Sequence, residues 1–244
     1  MPSFLSVADP SHWLIAGVIV FLGSCLQGLS GVGLGMVAAP ILLLSVPQLV
    51  PGPLLFISCV ISVMSLWRER DALDTSGLGY ALVGRLVASA LAAWAIGFLP
   101  AREMSLLFGA VIVLGAGLSL TRLRFAPTRP ALLVAGTLSG FMGTLTSAGM
   151  PPMALVYQNA RPATIRASLS GFLALGTVFS MISLAAVGRF GVQDVMLGLF
   201  LLIPMGLGYR ISTPLARRVP RAALRLIVIG LSALAGFALL ARGL

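Results

Sequence analysis

Two glycine-rich runs stand out for what their backbones could do. The first, 28–35, reads Gly28-Leu29-Ser30-Gly31-Val32-Gly33-Leu34-Gly35 and is followed by Pro40. The second, 140–149, carries Gly140, Gly143, Thr144, Thr146, Ser147 and Gly149 and is followed by Pro151 and Pro152. Glycine adopts backbone conformations closed to other residues. A helix broken at such a place leaves amide N–H groups free to hold an anion. Ser30, Thr144, Thr146 and Ser147 add hydroxyl donors beside the breaks. Gln27, Gln158 and Asn159 flank the half-segments, and either hydrogen-bond an oxyanion or satisfy the broken backbone. Close helix packing is the competing use of the glycines. Arg85 is the one arginine well inside an apolar stretch. At membrane depth an ionisable side chain is costly and marks function, and a guanidinium suits an anion. The competing reading is a side chain that snorkels to a membrane face. The candidate substrate-binding set is thus Gln27, Ser30, Gly31, Gly33, Gly35, Pro40, Arg85, Gly143, Thr146, Ser147, Gly149, Pro151 and Gln158.

Other chemistries lack their parts. The single histidine, His12, lies at the edge of an apolar run, and no His–Asp, Cys–His or Glu–His constellation occurs within the apolar stretches. An enzyme is therefore not expected. Cys25 and Cys59 have neither metal-ligand spacing nor a disulfide pattern, so neither a metal nor a cofactor is expected. Asp9, Glu69, Asp71, Asp74, Glu103 and Asp194 fall in connections or at the ends of apolar runs. That disfavours a side-chain proton relay and leaves uniport, or a coupling ion (proton or sodium) held by unwound carbonyls, open.

Composition dictates the scaffold that carries these residues. The chain is 59% hydrophobic and 9% charged over 244 residues. A soluble domain is about one quarter charged, and one of this size could not hide so much apolar surface. The fold class is all-α and polytopic, in the lipid bilayer, within a single membrane domain. Apolar segments fall at 12–28, 36–47, 52–67, 76–99 and 103–120, and again at 131–147, 150–160, 166–187, 193–210 and 223–241. About eight spans and two short Gly/Pro-rich half-helices result. The same order of parts occurs twice, as repeat one over 12–120 and repeat two over 131–241. No basic stretch precedes the run at 13–22, so it reads as a retained first span. Trp13, Trp67, Trp94, Tyr80, Tyr157 and Tyr209 lie near segment ends and read as interfacial anchors.

The arginines decide the topology. All 16 basic residues are arginine, mostly in gaps between apolar runs. That pattern indicates positive-inside anchoring rather than a nucleic-acid surface. If each glycine-broken opening stretch were one ordinary span, seven arginines would face eight across the membrane. If each dips in and returns, twelve fall together: Arg68, Arg70, Arg122, Arg124, Arg129, Arg161, Arg166, Arg210, Arg217, Arg218, Arg221 and Arg225. Only Arg102, Arg189 and Arg242 then lie opposite. The returning hairpins place both termini outside and make the two five-segment repeats inverted, a common transporter plan.

The run 28–40 resembles the Gly-x-x-Gly-x-Gly-Gly-Gly…Pro signature of the TauE/SafE-type sulfite exporter family of permeases. Leu34 stands where that signature usually has glycine. The run Ser139-Gly140-Phe141-Met142-Gly143 through Ser147-Ala148-Gly149-Met150-Pro151-Pro152 is similar to the family's second copy, with Met150 set into its Gly-Pro-Pro. The stretch from Arg161 to Ala167, then Phe172, is similar to the family's next segment. The resemblance implies a permease of the cytoplasmic (inner) membrane that moves a small anion such as sulfite or a sulfonate. An anion channel or a non-transporting membrane scaffold is the alternative. No nucleic-acid partner is expected, and a homo-oligomer is left open.

Overall fold

The computed structural model describes residues 10–31, 34–121, 125–215 and 221–243. Among them are ten α-helices and no strand: α1 (Pro10–Ser30), α2 (Ala39–Ser45), α3 (Gly52–Glu69), α4 (Leu78–Phe98), α5 (Ala101–Leu120), α6 (Arg129–Thr146), α7 (Met150–Tyr157), α8 (Pro162–Ala186), α9 (Val192–Leu215) and α10 (Arg221–Gly243). A π-helical turn, Leu34–Ala38, leads into α2. Pro162 at its first turn starts α8 four residues ahead of the apolar run, because proline is pre-set for that position.

Among the described residues, six helices are long and apolar enough to cross a membrane: α1, α3, α4, α5, α8 and α9. α6 is also 18 residues long, but Thr137, Ser139, Thr144, Thr146 and its glycines dilute its apolar character. At 1.5 Å per residue, α7 and α2 with its leading turn reach about 12 and about 18 Å, against about 30 Å of hydrocarbon. They are half-helices. Each packs back against the helix before it, α2's leading turn on α1 and α7 on α6.

The polarity of the bundle is reversed relative to a soluble protein. Large side chains such as Trp67, Phe98, Val192, Ile203 and Leu234 point outward, while Ser62, Ser89, Ser139, Thr144, Ser168 and Ser180 are buried. Lipid accepts apolar side chains, and hydroxyls and small residues hold helices together inside it. The chain is an all-α polytopic membrane protein. Trp67, Trp94 and Tyr80 are exposed, as anchors should be. Tyr157 and Tyr209 instead lie in the core: Tyr157 is on the enclosed half-helix α7, and Tyr209 is on the face of α9 that packs against α1.

Helix pairing is symmetric under exchange of the two halves of the chain. α1 packs on α9 as α6 packs on α4, and α3 meets α9 as α8 meets α4. α2 meets α10 as α7 meets α5, and α3–α8 and α5–α10 are their own counterparts, so each of these pairs joins the two halves. Every pair named has its counterpart when α1–α5 are exchanged for α6–α10.

Glycine sets the closest approaches. Gly136 and Gly140, one turn apart on α6, lie directly on the backbone of Ala81 and Arg85 of α4, and Gly84 answers from the other side. This small-x-x-x-small spacing lets two backbones touch. In the counterpart pair, Gly208 of α9 sits on the Phe21 carbonyl of α1, and Gly28 of α1 sits on Ser212 and Tyr209. Packing is thus the role of Gly140 and Gly28, which the sequence grouped with the breaks.

Candidate functional site

Arg85 leaves α4 where Gly140 brings α6 close, and its side chain runs into the bundle. It is 1% exposed, so it does not snorkel. Its guanidinium lies 4.9 Å from the centre of the Phe172 ring. Nη1 donates to Ser139 Oγ at 3.3 Å. Gly176 of α8 leaves just the room the guanidinium fills, and a Cβ on Gly143 would come within 3.2 Å of it. Nε has no hydrogen-bond partner. Among the described residues the ion pairs are Arg68–Glu69, Arg70–Asp71 and Arg166–Glu69, so no carboxylate pairs with Arg85.

Ser139 ties this charge to the second break. Its hydroxyl accepts from Arg85 and donates to the Gly149 carbonyl. Thr146 caps the same break: Oγ1 donates to Met142 O at 2.8 Å and accepts from the Ala148 amide at 3.2 Å. Ser147 then takes a left-handed conformation (φ 60°), and its hydroxyl donates to Pro51 O at 3.3 Å. At the first break, the Leu34 amide donates to Gln27 Oε1 at 3.2 Å. Gln27 therefore does satisfy broken backbone. The two breaks meet, since Gly35 packs on the carbonyl of Ser147.

Between the breaks lies a small, partly enclosed cavity lined by Gln27, Leu34, Gly35, Leu55, Ser58, Ile61, Ser62, Arg85, Gly143, Ser147, Gly149, Met150, Leu173 and Thr177. It offers about 10 Å³ for the centre of a water-sized molecule, about one water. Six of the sequence candidates line it: Gln27, Gly35, Arg85, Gly143, Ser147 and Gly149. Gly31 sits outside the lining, against Arg166 with φ 78°. Pro40 is buried in α2, Thr146 acts as the cap, and Pro151 borders a separate small apolar space with Met36, Ile112 and Ser232. Gln158 follows the far end of α7. Gly33 and the side chain of Ser30 lie outside the described residues.

Sequence reasoning missed Ser58 and Ser62. Both hydroxyls are buried without a partner and line the cavity. Their four-residue spacing puts them on one face of an apolar helix, which was the signal available. It also missed Ser139 as the partner of Arg85.

A polar knot ties the ends of α3 and α8. Arg166 Nε lies 2.6 Å from Glu69 Oε1, with side chains 23% and 15% exposed. Glu69, at the end of α3 as the sequence placed it, is thereby a largely buried carboxylate. Arg68 Nη2 approaches Glu69 at 3.6 Å and the Gly28 carbonyl at 3.4 Å, and its guanidinium lies 4.8 Å from the Tyr209 ring centre. The knot joins α3, α8, α9 and the end of α1. We expect Glu69→Gln and Arg166→Gln each to lower thermal stability in detergent. A double-mutant cycle should give a coupling of about 1 kcal/mol or more, whereas additive effects would mean a pair screened by solvent.

The reversed-polarity bundle of the described residues, with Arg85 buried beside two broken helices, defines a polytopic membrane protein. The chain belongs to the sulfite exporter TauE/SafE family, which matches residues 15–239. Members of that family are membrane permeases rather than enzymes. No curated protein and no solved structure matches the chain.

Proposed function

We propose that this permease is a secondary transporter that moves a small oxyanion, such as sulfite or a sulfonate, by alternating access. The observation that carries this is Arg85: a buried guanidinium with an unpaired Nε and no paired carboxylate, facing a cavity where two helix breaks meet. Burying an ion costs several kcal/mol even after relaxation. The Phe172 ring returns about 0.5–2 kcal/mol, and the bond to Ser139 about 1.5–3 kcal/mol. An anion completes the set. In a form opened wide enough to admit it, the anion would meet the guanidinium and the free hydroxyls of Ser58 and Ser62, which line the same cavity.

The exchange symmetry of the helix pairs supports two repeats, 12–120 and 131–241, inverted because five segments separate their starts. With the arginine-rich connections in the cytoplasm, both termini lie outside the inner membrane. A reporter fused after Leu244 should therefore read out as external, and a cytoplasmic signal would break the inverted arrangement. Uptake of labelled sulfite, sulfonates and carboxylates into proteoliposomes, with and without proton or sodium gradients, tests the function. Saturable uptake of one of them is expected. Flux of none would sink the permease reading for these anions.

A further inference from the structure

We propose that transport through this site runs chiefly as anion-for-anion exchange, because the empty carrier must reorient with the bare charge of Arg85 enclosed. The proposal rests on the permease reading above and adds its mode of operation.

Arg85 is 1% exposed, and its neighbours Ser139, Phe172, Gly143 and Gly176 are all neutral. Among the described residues, the ion pairs gather at the end of α3 and the start of α8, and none includes Arg85. Glu69, the largely buried carboxylate, is already held by Arg166 at 2.6 Å.

An alternating-access carrier must pass through a form shut from both sides. In that form the charge of Arg85 is cut off from water and faces only neutral dipoles. With a monoanion bound, the site is an ion pair of zero net charge, and the penalty for enclosing it falls sharply. With no anion bound, the same closure encloses a net positive charge. The barrier for reorientation is therefore higher for the empty carrier than for the loaded one. Loaded steps run in both directions, so one anion enters as another leaves. Net movement is limited by the slow empty return. The fitting counter-substrate is a second small monoanion with at least two oxygens, able to fork on a guanidinium. A dianion would leave the closed site with net negative charge and should exchange more slowly.

The test uses the whole chain in liposomes buffered on the acid side of neutrality, where sulfite is chiefly the monoanion, with labelled sulfite outside and equal potassium plus valinomycin on both sides to hold the membrane potential at zero. One set of vesicles contains unlabelled sulfite and the other only zwitterionic buffer. Protein-free vesicles give the background. We expect initial uptake to be at least tenfold faster into the sulfite-loaded vesicles, equivalent to about 1.4 kcal/mol between the two reorientation barriers. Equal initial rates would overturn the exchange mode and leave the permease reading standing. No uptake above background in either set would overturn the permease reading for sulfite, and exchange of sulfite with it.

Discussion

Replacing Arg85 with glutamine should reduce saturable anion uptake in proteoliposomes by roughly 30-fold or more, while the protein still inserts and purifies. Removing one partner of a buried, hydrogen-bonded charge pair costs about 2–5 kcal/mol. At 1.4 kcal/mol per factor of ten, that spans roughly 30-fold to several thousand-fold. The second half of the expectation separates a binding role from a structural one. A structural arginine would leave a less stable protein behind. Arg85 has no paired anion in the fold, so its replacement by a neutral amide relieves an enclosed charge. The melting temperature without substrate should hold or rise. Stabilisation by added anion, which arises from binding to the folded state alone, should vanish. Arg85→Lys should fall between, because an ammonium keeps the charge and loses the planar fork. Uptake unchanged in Arg85→Gln would place the anion elsewhere. A large drop in stability without substrate would make Arg85 a packing residue.

Gly35→Val should abolish transport and lower thermal stability together. Gly35 packs directly on the Ser147 carbonyl, with Ala148 close behind. A side chain there meets backbone that cannot swing away, unlike the tip of a flexible side chain. Overpacking of this kind costs about 1–3 kcal/mol. The strain falls where the two breaks touch, so Gln27 and Leu34 on one side move relative to Ser147 and Gly149 on the other. Gly17→Val is the matched control. It adds the same side chain to α1, where nothing lies within 4 Å, and should leave both uptake and melting temperature near wild type. Full transport by Gly35→Val would mean that the breaks need not meet for the cycle to run.

The segments were legible because they rest on local chemistry. Apolar runs separated by arginines mark spans, since lipid selects each stretch by its own composition. The two breaks were legible for the same reason: glycine and proline act on the backbone where they stand. The second limb starts at Met150, with Pro151 and Pro152 in its first turn, where proline costs a helix nothing.

Residues whose roles depend on a distant partner were less legible. The sequence left Arg85 between two readings, because the depth of one side chain depends on what surrounds its helix. Four other residues decide it. Gly140 brings α6 in, Gly176 makes room, Phe172 covers the face and Ser139 takes a hydrogen bond. Gly140 and Gly149 sit in one glycine run, yet the first packs against α4 and the second lines the cavity. Ser58 and Ser62 look like incidental hydroxyls in an apolar span until α3 turns them toward the site. Glu69 looks like an ordinary residue at a span end until Arg166, 97 residues on, closes over it.

Residue order alone is enough to place the chain in a membrane, to locate its helices, and to find where two of them break. Those properties are set residue by residue against lipid and backbone geometry. It takes the folded bundle to bring the breaks together, to seal a single guanidinium beside them, and to choose which hydroxyls share its cavity. Those facts depend on contacts between helices far apart in the chain, and such contacts leave no local trace.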